Sequence, residues 1–347
     1  MRIGALKQRY DADHALLDTA TQRAWAAAGI AALVGLPFVG GEYALYLACL
    51  AAIHVVAATG LNILTGYTGL VSLGHAAFMG VGAYAAAVAD ARLGTPAVVN
   101  LFLGGAAAAL VGVVVGLPSL RVKGLYLAIA TIAASVLLDF VFKNWTAVTG
   151  GTRGLNLPPA TVLGFEMARP SSFYWLAMPV AVLSVIGAAN LFRTRIGRAF
   201  IAVRDRDISA AVLGIPLLRT KLMSFGLSSF YAGAAGALFA YFFRSITPES
   251  FPFVYSVFFL AAIIVGGMGT ILGGVVGAVF MTLVPEALKL LVALVTPVWP
   301  NAVAVLSPVR TVVFGALIVG FLIFEPHGLA EIWRRVRRFF HLWPFRT

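Results

Sequence analysis

Long apolar runs follow one another along most of this chain, and short polar linkers separate them. Most runs have about 20 residues, the length that an α-helix needs to cross the hydrocarbon core of a bilayer. Only 11% of the 347 residues are charged and 61% are hydrophobic, whereas a soluble domain carries about 25% charged residues. Membrane β-strands alternate over about ten residues, and these runs are longer and more uniformly apolar. The sequence therefore predicts an all-α, polytopic bundle of transmembrane helices.

Ten spans are predicted inside a transmembrane domain of residues 24–330. A polar arm, residues 1–23, precedes this domain, and a basic tail, residues 331–347, follows it. The first and third spans are short for a bilayer of about 30 Å, so we leave open that some spans are re-entrant or broken. We place the spans near 24–40, 43–65, 71–89, 97–118, 124–143, 172–192, 222–243, 254–268, 271–296 and 303–325.

Basic residues cluster at four places: the arm, Arg121 with Lys123, the loop 193–221, and the tail. Ten crossings put all four on one side of the membrane. Because cytoplasmic loops are enriched in Lys and Arg, we expect that side, with both termini, to face the cytoplasm. The net charge of +12 then reflects orientation in the membrane, and we expect no nucleic-acid partner. The 144–171 loop is predicted on the opposite side.

Between spans six and seven, the sequence GRAFIAVRDRDISAAVLGIP at residues 197–216 forms a charged island in an apolar region. We name the whole loop, residues 193–221, the charged segment. Asp205 is suited to cap a helix that starts after it, and Gly214 followed by Pro216 is a typical helix stop. These signals predict a short helix at the membrane edge.

Ile208, Ala211 and Val212 recur at helical spacing, so they fall on one face of this predicted helix. A basic loop that only sets topology is the simpler interpretation, but such a loop needs only Lys and Arg. The charged segment also contains two Asp between its arginines, together with the cap and stop signals. We therefore favour an amphipathic docking helix.

A second stretch, GLNILTGYTGLVSLGHAAFMGVGAY at residues 60–84, is rich in glycine and small polar residues. Glycines permit a break in a helix where it lines a cavity, and the freed backbone groups then meet a solute. The same composition suits tight helix packing, with polar groups bonded across helices. Both interpretations stay open, although a lone histidine is more often a buried structural residue. The candidates for a translocation path are Asn62, Tyr67, Ser72 and His75.

Three glycines recur at a constant offset of 200 residues. Both triplets lie at the cytoplasmic ends of predicted spans. Transporters often contain structural repeats, so the recurrence indicates an internal repeat, either parallel or inverted. The pairs are Gly66 and Gly266, Gly69 and Gly269, and Gly74 and Gly274.

Four ionisable residues fall inside predicted spans. A charge inside the membrane is energetically costly, so such residues are first considered as functional candidates. Glu286 and Lys289 are three residues apart on one helix and can neutralise each other. Asp139 lies four residues before Lys143, and the fourth residue is His54. We therefore expect local pairing, and no carboxylate-rich proton relay is visible.

Catalytic and nucleotide-binding patterns are absent from the sequence. There is no Walker-type GxxxxGK[ST], no zinc pattern and no GxSxG, and the only cysteine, Cys49, lies within an apolar run. We expect no enzyme, no catalytic residue and no metal site. If ATP drives this protein, a separate subunit must bind it.

Several of these stretches resemble the permeases of the branched-chain amino-acid ABC importer family, of the LivM type. Residues 60–84 are similar to the family's Gly-Leu-Asn…Ser-Leu-Gly-His-Ala-Ala-Phe signature, and residues 197–216 are similar to its cytoplasmic coupling loop. The resemblance covers most of the chain, with the stretches in the same order. Further matches are residues 124–131, 150–155, 245–250 and 266–274.

The resemblance implies the permease of a binding-protein-dependent importer in the bacterial inner membrane. Its partners would be a second, homologous permease of the LivH type, two cytoplasmic ATPase subunits that use ATP and Mg²⁺, and a periplasmic substrate-binding protein. This chain would bind no cofactor itself. The implied substrates are branched-chain amino acids, with urea, amides or aromatic acids as alternatives. A self-sufficient secondary transporter is the alternative of another class, and it calls for ion-binding acids at mid-membrane.

By the same resemblance, the charged segment would seat in a groove of one ATPase subunit. Its charged side chains would make polar contacts there, and its apolar face would fill the groove. The expected contact residues are Gly197, Arg198, Arg204, Asp205, Ile208, Val212 and Gly214.

Overall fold

The computed structural model describes residues 20–119, 124–162, 164–295 and 328–342, together with isolated positions between 309 and 325. Helices make up most of these residues, as the apolar runs predict. The helices are α1 (Ala20–Val39), α2 (Glu42–Leu61), α3 (His75–Leu93), α4 (Ala97–Ser119), α5 (Leu125–Asn144), α6 (Thr146–Thr149), α7 (Pro170–Leu191), α8 (Arg195–Asp205), α9 (Asp207–Val212), α10 (Leu217–Phe243), α11 (Phe253–Gly266), α12 (Ile271–Val295) and α13 (Leu329–Leu342). Short strands in the linkers are β1 (Leu155–Asn156), β2 (Ala160–Val162), β3 (Phe165–Met167) and β4 (Ser245–Ile246).

Seven helical segments of the described residues are long and apolar enough to cross a membrane, which confirms the predicted polytopic bundle. α1 holds a shorter apolar stretch, Ala27–Val39, at the first predicted span. α3, at the third, is not among the seven, and it carries Asp90 and Arg92. Most of the tenth predicted span, 303–325, lies outside the described residues. The seven segments are Glu42–Tyr67, Ala97–Pro118, Tyr126–Asn144, Pro170–Leu191, Leu217–Phe243, Pro248–Gly266 and Ile271–Leu290.

α3 lies in the middle of the bundle, where it packs against α4 and α10. Small residues let membrane helices approach closely: a Cβ on Gly82 would overlap the backbone of Gly233, and one on Gly236 would overlap the carbonyl of Met79. Most residues of α3 are buried as a result. A helix that its neighbours cover needs no continuous lipid-facing surface, so α3 tolerates a charged end.

The linkers tie one end of the bundle together, and we name it the linker end. β1 pairs with β4 in antiparallel register, with Leu155 opposite Ile246. Arg92 Nη2 donates to the Ala147 carbonyl at 2.8 Å. The linker 144–170 therefore lies at the end opposite to the charged segment, as predicted.

The other end holds α8, α9 and the first turn of α10, and we name it the basic end. α2 and α11 run into it, while α3 and α12 start from it. Gly328, which precedes α13, packs against Gly267, so α13 also starts here. The charged segment and the start of the tail thus share one side of the bundle. Arg121 and Lys123 lie outside the described residues, and the side of the membrane that this end faces stays a prediction, as does the division into arm, domain and tail.

Candidate functional site

The chain leaves α2 through the π-helix Asn62–Tyr67. π-Helical turns are rare and frequently occur at functional sites. We name this π-helix, together with residues 68–74 that connect it to α3, the first break. The hydroxyls of Thr65 and Thr68 donate to backbone carbonyls here at 3.1 and 3.0 Å. Gly69 adopts a left-handed φ of 74°, which glycine reaches without a steric penalty.

A second break, residues 267–270, separates α11 from α12. Thr270 closes it from within: its Oγ1 donates to the Gly267 carbonyl at 2.9 Å and accepts from the Gly273 amide at 3.1 Å. Gly269 adopts a left-handed φ of 73°. The second break therefore has the same kind of glycine-dependent turn as the first.

Asn62 joins the two breaks. Its Nδ2 donates to the Thr270 carbonyl at 2.8 Å, and its Oδ1 accepts from the Gly269 amide at 3.0 Å. A Cβ on Gly66 would overlap the Asn62 side chain and would lie 2.5 Å from the Gly269 nitrogen. The backbones of the breaks are thus in direct contact, and one buried amide satisfies polar groups on the second.

The glycine repeat marks both breaks. Gly69 and Gly269 have nearly the same φ, and the helices before them, α2 and α11, both run toward the basic end. The two helix-and-break units, α2 with the first break and α11 with the second, therefore point in the same direction through the bundle. The third pair has different surroundings, because Gly74 packs against α5 whereas Gly274 packs against Asn62.

Arg204, in the last turn of α8, reaches into the contact between the breaks. Its Nη1 donates to the Gly66 carbonyl at 3.0 Å, and its Nε donates to the Asp205 carboxylate at 3.0 Å. A Cβ on Gly69 would lie 3.0 Å from Arg204 Cγ, and one on Gly269 would lie 2.7 Å from its Nη1. A side chain at either glycine would therefore press on the arginine.

The charged segment forms two helices, α8 and α9, and the predicted role of Asp205 as a helix cap is wrong. Thr194 caps α8, since its Oγ1 accepts from the Gly197 amide at 3.4 Å. Because α8 starts that early, Asp205 becomes its last residue, and the N-cap of α9 is Arg206 without a side-chain hydrogen bond. The predicted stop at Gly214 is confirmed by its φ of 83° and by the end of α9 before it.

The inner face of α8 and α9 packs on the bundle, while the outer face stays open. Phe200 and Val203 are buried, with Phe200 packed against Ile63. On the outer face, Ile208 is 74% exposed and Val212 is 83% exposed, and the adjoining Leu213 is 80% exposed. We name Ile208, Val212 and Leu213 the outer patch. Contiguous exposed apolar surface marks an interaction site.

Comparison with known proteins places this sequence in a family. Residues 43–322 match the family model described as branched-chain amino acid transport system, permease component. The chain belongs to this permease family. It is 30% identical to the high-affinity branched-chain amino acid permease protein LivM of Escherichia coli over 91% of this chain and 76% of that protein.

More distant relatives of the permease include two other named systems. It is 24% identical to the probable LivM of Methanocaldococcus jannaschii over 64% of this chain and 66% of that protein. It is 27% identical to the autoinducer 2 import permease protein LsrC of Salmonella typhimurium over 60% of this chain and 57% of that protein. No solved structure matches it significantly.

The four candidate path residues of the permease all lie in its packed interior. Beyond Asn62, the ring of Tyr67 stacks on Phe192 with centroids 3.5 Å apart, and His75 Nε2 bonds the Ala57 carbonyl at 2.9 Å. Ser72 Oγ accepts from the amide of Gly74 at 3.5 Å. These partners give the residues a structural role in this conformation, and their place on a path stays a prediction.

The predicted contact residues separate into an inward and an outward group. Gly197 is buried against the end of α7, and Arg204 is turned toward the breaks. Arg198 is exposed and donates to the Arg193 carbonyl at 3.2 Å. The outer patch includes both predicted apolar residues, Ile208 and Val212.

Two residues near the breaks, Thr270 and Lys221, had no role in the sequence prediction. Thr270 caps the second break, and its neighbour Gly269 was marked only by the glycine offset. Lys221, on α10, forms an ion pair with Asp207 of α9 at 3.8 Å, and a small polar cavity of about 220 Å³ lies beside this pair. An opposite charge fourteen residues away gives no periodic signal, so the pair was not expected.

The predicted pairing of charges within spans is confirmed. Lys143 bonds Asp139 and Lys289 bonds Glu286, each at 2.7 Å, and the Tyr43 hydroxyl also donates to Glu286. His54 is buried, with Nδ1 2.7 Å from Thr282 Oγ1 and Nε2 2.5 Å from the Tyr255 hydroxyl. Among the described residues, no group of three or more His, Cys, Asp or Glu could hold a metal ion.

Proposed function

We propose that this permease is the transmembrane subunit of an ATP-driven importer that carries branched-chain amino acids, or related small solutes, into the cytoplasm. The observation that carries the proposal is the double role of the charged segment. Its outer patch is apolar and exposed, and its inner face reaches two helix breaks through Arg204. Because the sequence has no phosphate-binding loop, the energy of ATP must arrive through a contact with another subunit.

Membership of the family supports the rest of the proposed assembly. A second permease of the LivH type would complete the membrane-embedded part, two ATPase subunits would bind ATP and Mg²⁺, and a periplasmic binding protein would deliver the solute. The excess of arginine at the basic end favours a cytoplasmic orientation for this end. The outer patch then faces the ATPase side.

Movement of α8 and α9 would reach the bundle through a short chain of contacts. A hydrogen bond from a charged donor contributes about 1.5–3 kcal/mol, so the bond from Arg204 to the Gly66 carbonyl is the strongest polar link on this route. The bond to exposed Asp205 contributes about 1 kcal/mol or less. Gly66 and Gly269 touch across the breaks, so displacement of Arg204 would shift α2, α3, α11 and α12 together.

The test is the double variant Ile208→Asp with Val212→Asp in the assembled complex. Two apolar side chains that become buried at a contact contribute about 1.5–3 kcal/mol each. We expect ATPase binding to weaken by at least about 100-fold, measured by co-purification and by ATP-driven uptake in liposomes. The matched control is Phe165→Asp, an equally exposed apolar position (75%) at the linker end, which should keep the ATPase bound.

Two outcomes would contradict the proposal. One is an undiminished ATPase contact in the double variant, and the other is uptake by the permease in liposomes that contain no ATPase. The latter would favour a secondary transporter. Solute identity is a separate question, which ligand-stimulated ATPase activity would resolve across branched-chain amino acids, amides, aromatic acids and, since LsrC proteins are relatives, autoinducer 2.

A further inference from the structure

Helix α13 has the most regular amphipathic pattern among the described helices. Its sequence, LAEIWRRVRRFFHL, has four arginines and one glutamate. The apolar residues recur at helical spacing and form one stripe, while the arginines lie on the remaining surface. The stripe is Leu329, Ile332, Trp333, Val336, Phe339 and Phe340.

The structure docks only the first turn of α13 on the bundle. Gly328 adopts a φ of 70° and packs directly on the Gly267 backbone. Ala330 is buried and Leu329 packs near Val265, whereas Trp333, further along, is 58% exposed. The described part of the stripe therefore leaves the bundle after one turn.

The dimensions and charges of α13 exclude a transmembrane position. Fourteen residues extend about 21 Å at 1.5 Å per residue, less than the hydrocarbon core of a bilayer. Its arginines would also be costly inside that core. Helices with an apolar stripe and a basic face lie in the plane of the membrane interface, where anionic headgroups attract the basic face.

The arginines of α13 remain available for such headgroups. Arg334 pairs with Glu331 at 2.7 Å and Arg335 pairs with Glu325 at 2.9 Å. The two arginine side chains are 53% and 67% exposed, so water screens these pairs and leaves part of each guanidinium accessible. Arg337 and Arg338 add further positive charge in the sequence.

We propose that α13 lies in the membrane interface beside the basic end and binds anionic phospholipid headgroups through its arginines. Its start on Gly267 ties the lipid contact to the second break. Gly269, two residues further, lies against Arg204. Binding of α13 to lipid would therefore restrict the position of the second break, which Arg204 also contacts.

The lipid contact is tested on the full-length permease alone, so its outcome does not depend on the proposed function. Cys49 is the only cysteine, so a Cys49→Ser background carrying Trp333→Cys accepts one spin label on the stripe. Its depth is measured in nanodiscs of phosphatidylcholine, with and without phosphatidylglycerol. A label at Glu331→Cys, off the stripe, is the control for a position that should stay out of the hydrocarbon.

We expect the label at position 333 to insert below the headgroups, and to insert more when phosphatidylglycerol is present. Adding Arg337→Gln and Arg338→Gln should reduce the ratio of membrane-inserted to water-exposed helix by roughly 30-fold, about fivefold for each arginine. The control Arg153→Gln, an exposed arginine at the linker end, should leave that ratio unchanged. High salt should act in the same direction as the double variant.

Three results would overturn the proposal. The first is a label at position 333 that stays in water in both lipids. The second is insertion that is the same with and without phosphatidylglycerol. The third is spin–spin broadening that reports a second copy of the chain on the stripe.

Discussion

The two faces of the charged segment differ in whether other parts of the chain cover them. On the inner face, Phe200 and Val203 are buried in the bundle, and Arg204 is bonded to the Gly66 carbonyl. On the outer face, Ile208 and Val212 are more than 70% exposed, although they are as apolar as the buried pair. Other parts of the chain cover the inner face and bond its arginine. The outer face has no such cover among the described residues, as the proposed contact with an ATPase subunit requires.

The two faces should therefore differ in their sensitivity to mutation. Changes on the inner side alter the folded permease itself, because they act on packed groups. Changes on the outer side leave the fold intact and act on assembly, because exposed positions contribute little to the free energy of unfolding. The following predictions move from the inner contact outward.

The largest effect is expected for Gly66→Ala. The added methyl group would overlap the Asn62 side chain and crowd the Gly269 amide, and such overpacking costs about 1–3 kcal/mol. We expect a lower midpoint of thermal unfolding and uptake near background. Gly29→Ala is the matched control, since a Cβ there has nothing within 4 Å. Equal behaviour of the two variants would show that the breaks are not in tight contact.

A smaller effect is expected for Asn62→Ala. It removes the acceptor of the Gly269 amide and the donor to the Thr270 carbonyl, and an unsatisfied buried group costs about 1–3 kcal/mol. Hydrogen exchange of the peptide that contains residues 267–270 should accelerate. Asn144→Ala is the control, because that exposed side chain bonds only one carbonyl of its own helix. Unchanged exchange would mean that Asn62 does not hold the second break.

The smallest effect is expected for Asp205→Asn. The carboxylate is 61% exposed and its pair with Arg204 is at the surface, where such pairs contribute about 1 kcal/mol or less. ATP-driven uptake should change by less than about fivefold. A loss as large as that of the outer-patch variant would instead give Asp205 a direct role at the partner contact.

Apolar runs and charge were sufficient to predict the bundle, because burial of hydrocarbon in lipid is set by composition and length. Seven of the ten predicted spans correspond to long apolar helices of the described residues. The opposite locations of the 144–170 linker and the charged segment, and the stop at Gly214, also followed from such local signals. The cap at Asp205 was wrong for a local reason as well. The first helix of the charged segment is capped by Thr194, eleven residues before the predicted cap. Asp205 therefore lies at the end of that helix and not before the start of one.

The contact between the breaks depends on residues 200 positions apart, which no local pattern brings together. The glycine offset marked Gly69 and Gly269 correctly, but it carried no information that the two turns touch. For the same reason Arg204 was predicted to face a partner, whereas its guanidinium binds within the chain. Asn62 was singled out as a polar candidate for the translocation path, and only the fold shows the groups that it bonds.

The most direct test of the link between the two faces is the amount of solute imported per ATP hydrolysed in the Arg204→Gln complex. We expect an assembled complex whose ATPase remains active, with import per ATP reduced at least about 10-fold, since a charge-assisted bond of about 1.5–3 kcal/mol is lost. Arg195→Gln, an exposed arginine at the start of the same helix, should keep the ratio of the unmodified complex. An unchanged ratio in Arg204→Gln would show that the outer patch drives transport without the hydrogen bond from Arg204 to Gly66, contrary to the proposed coupling.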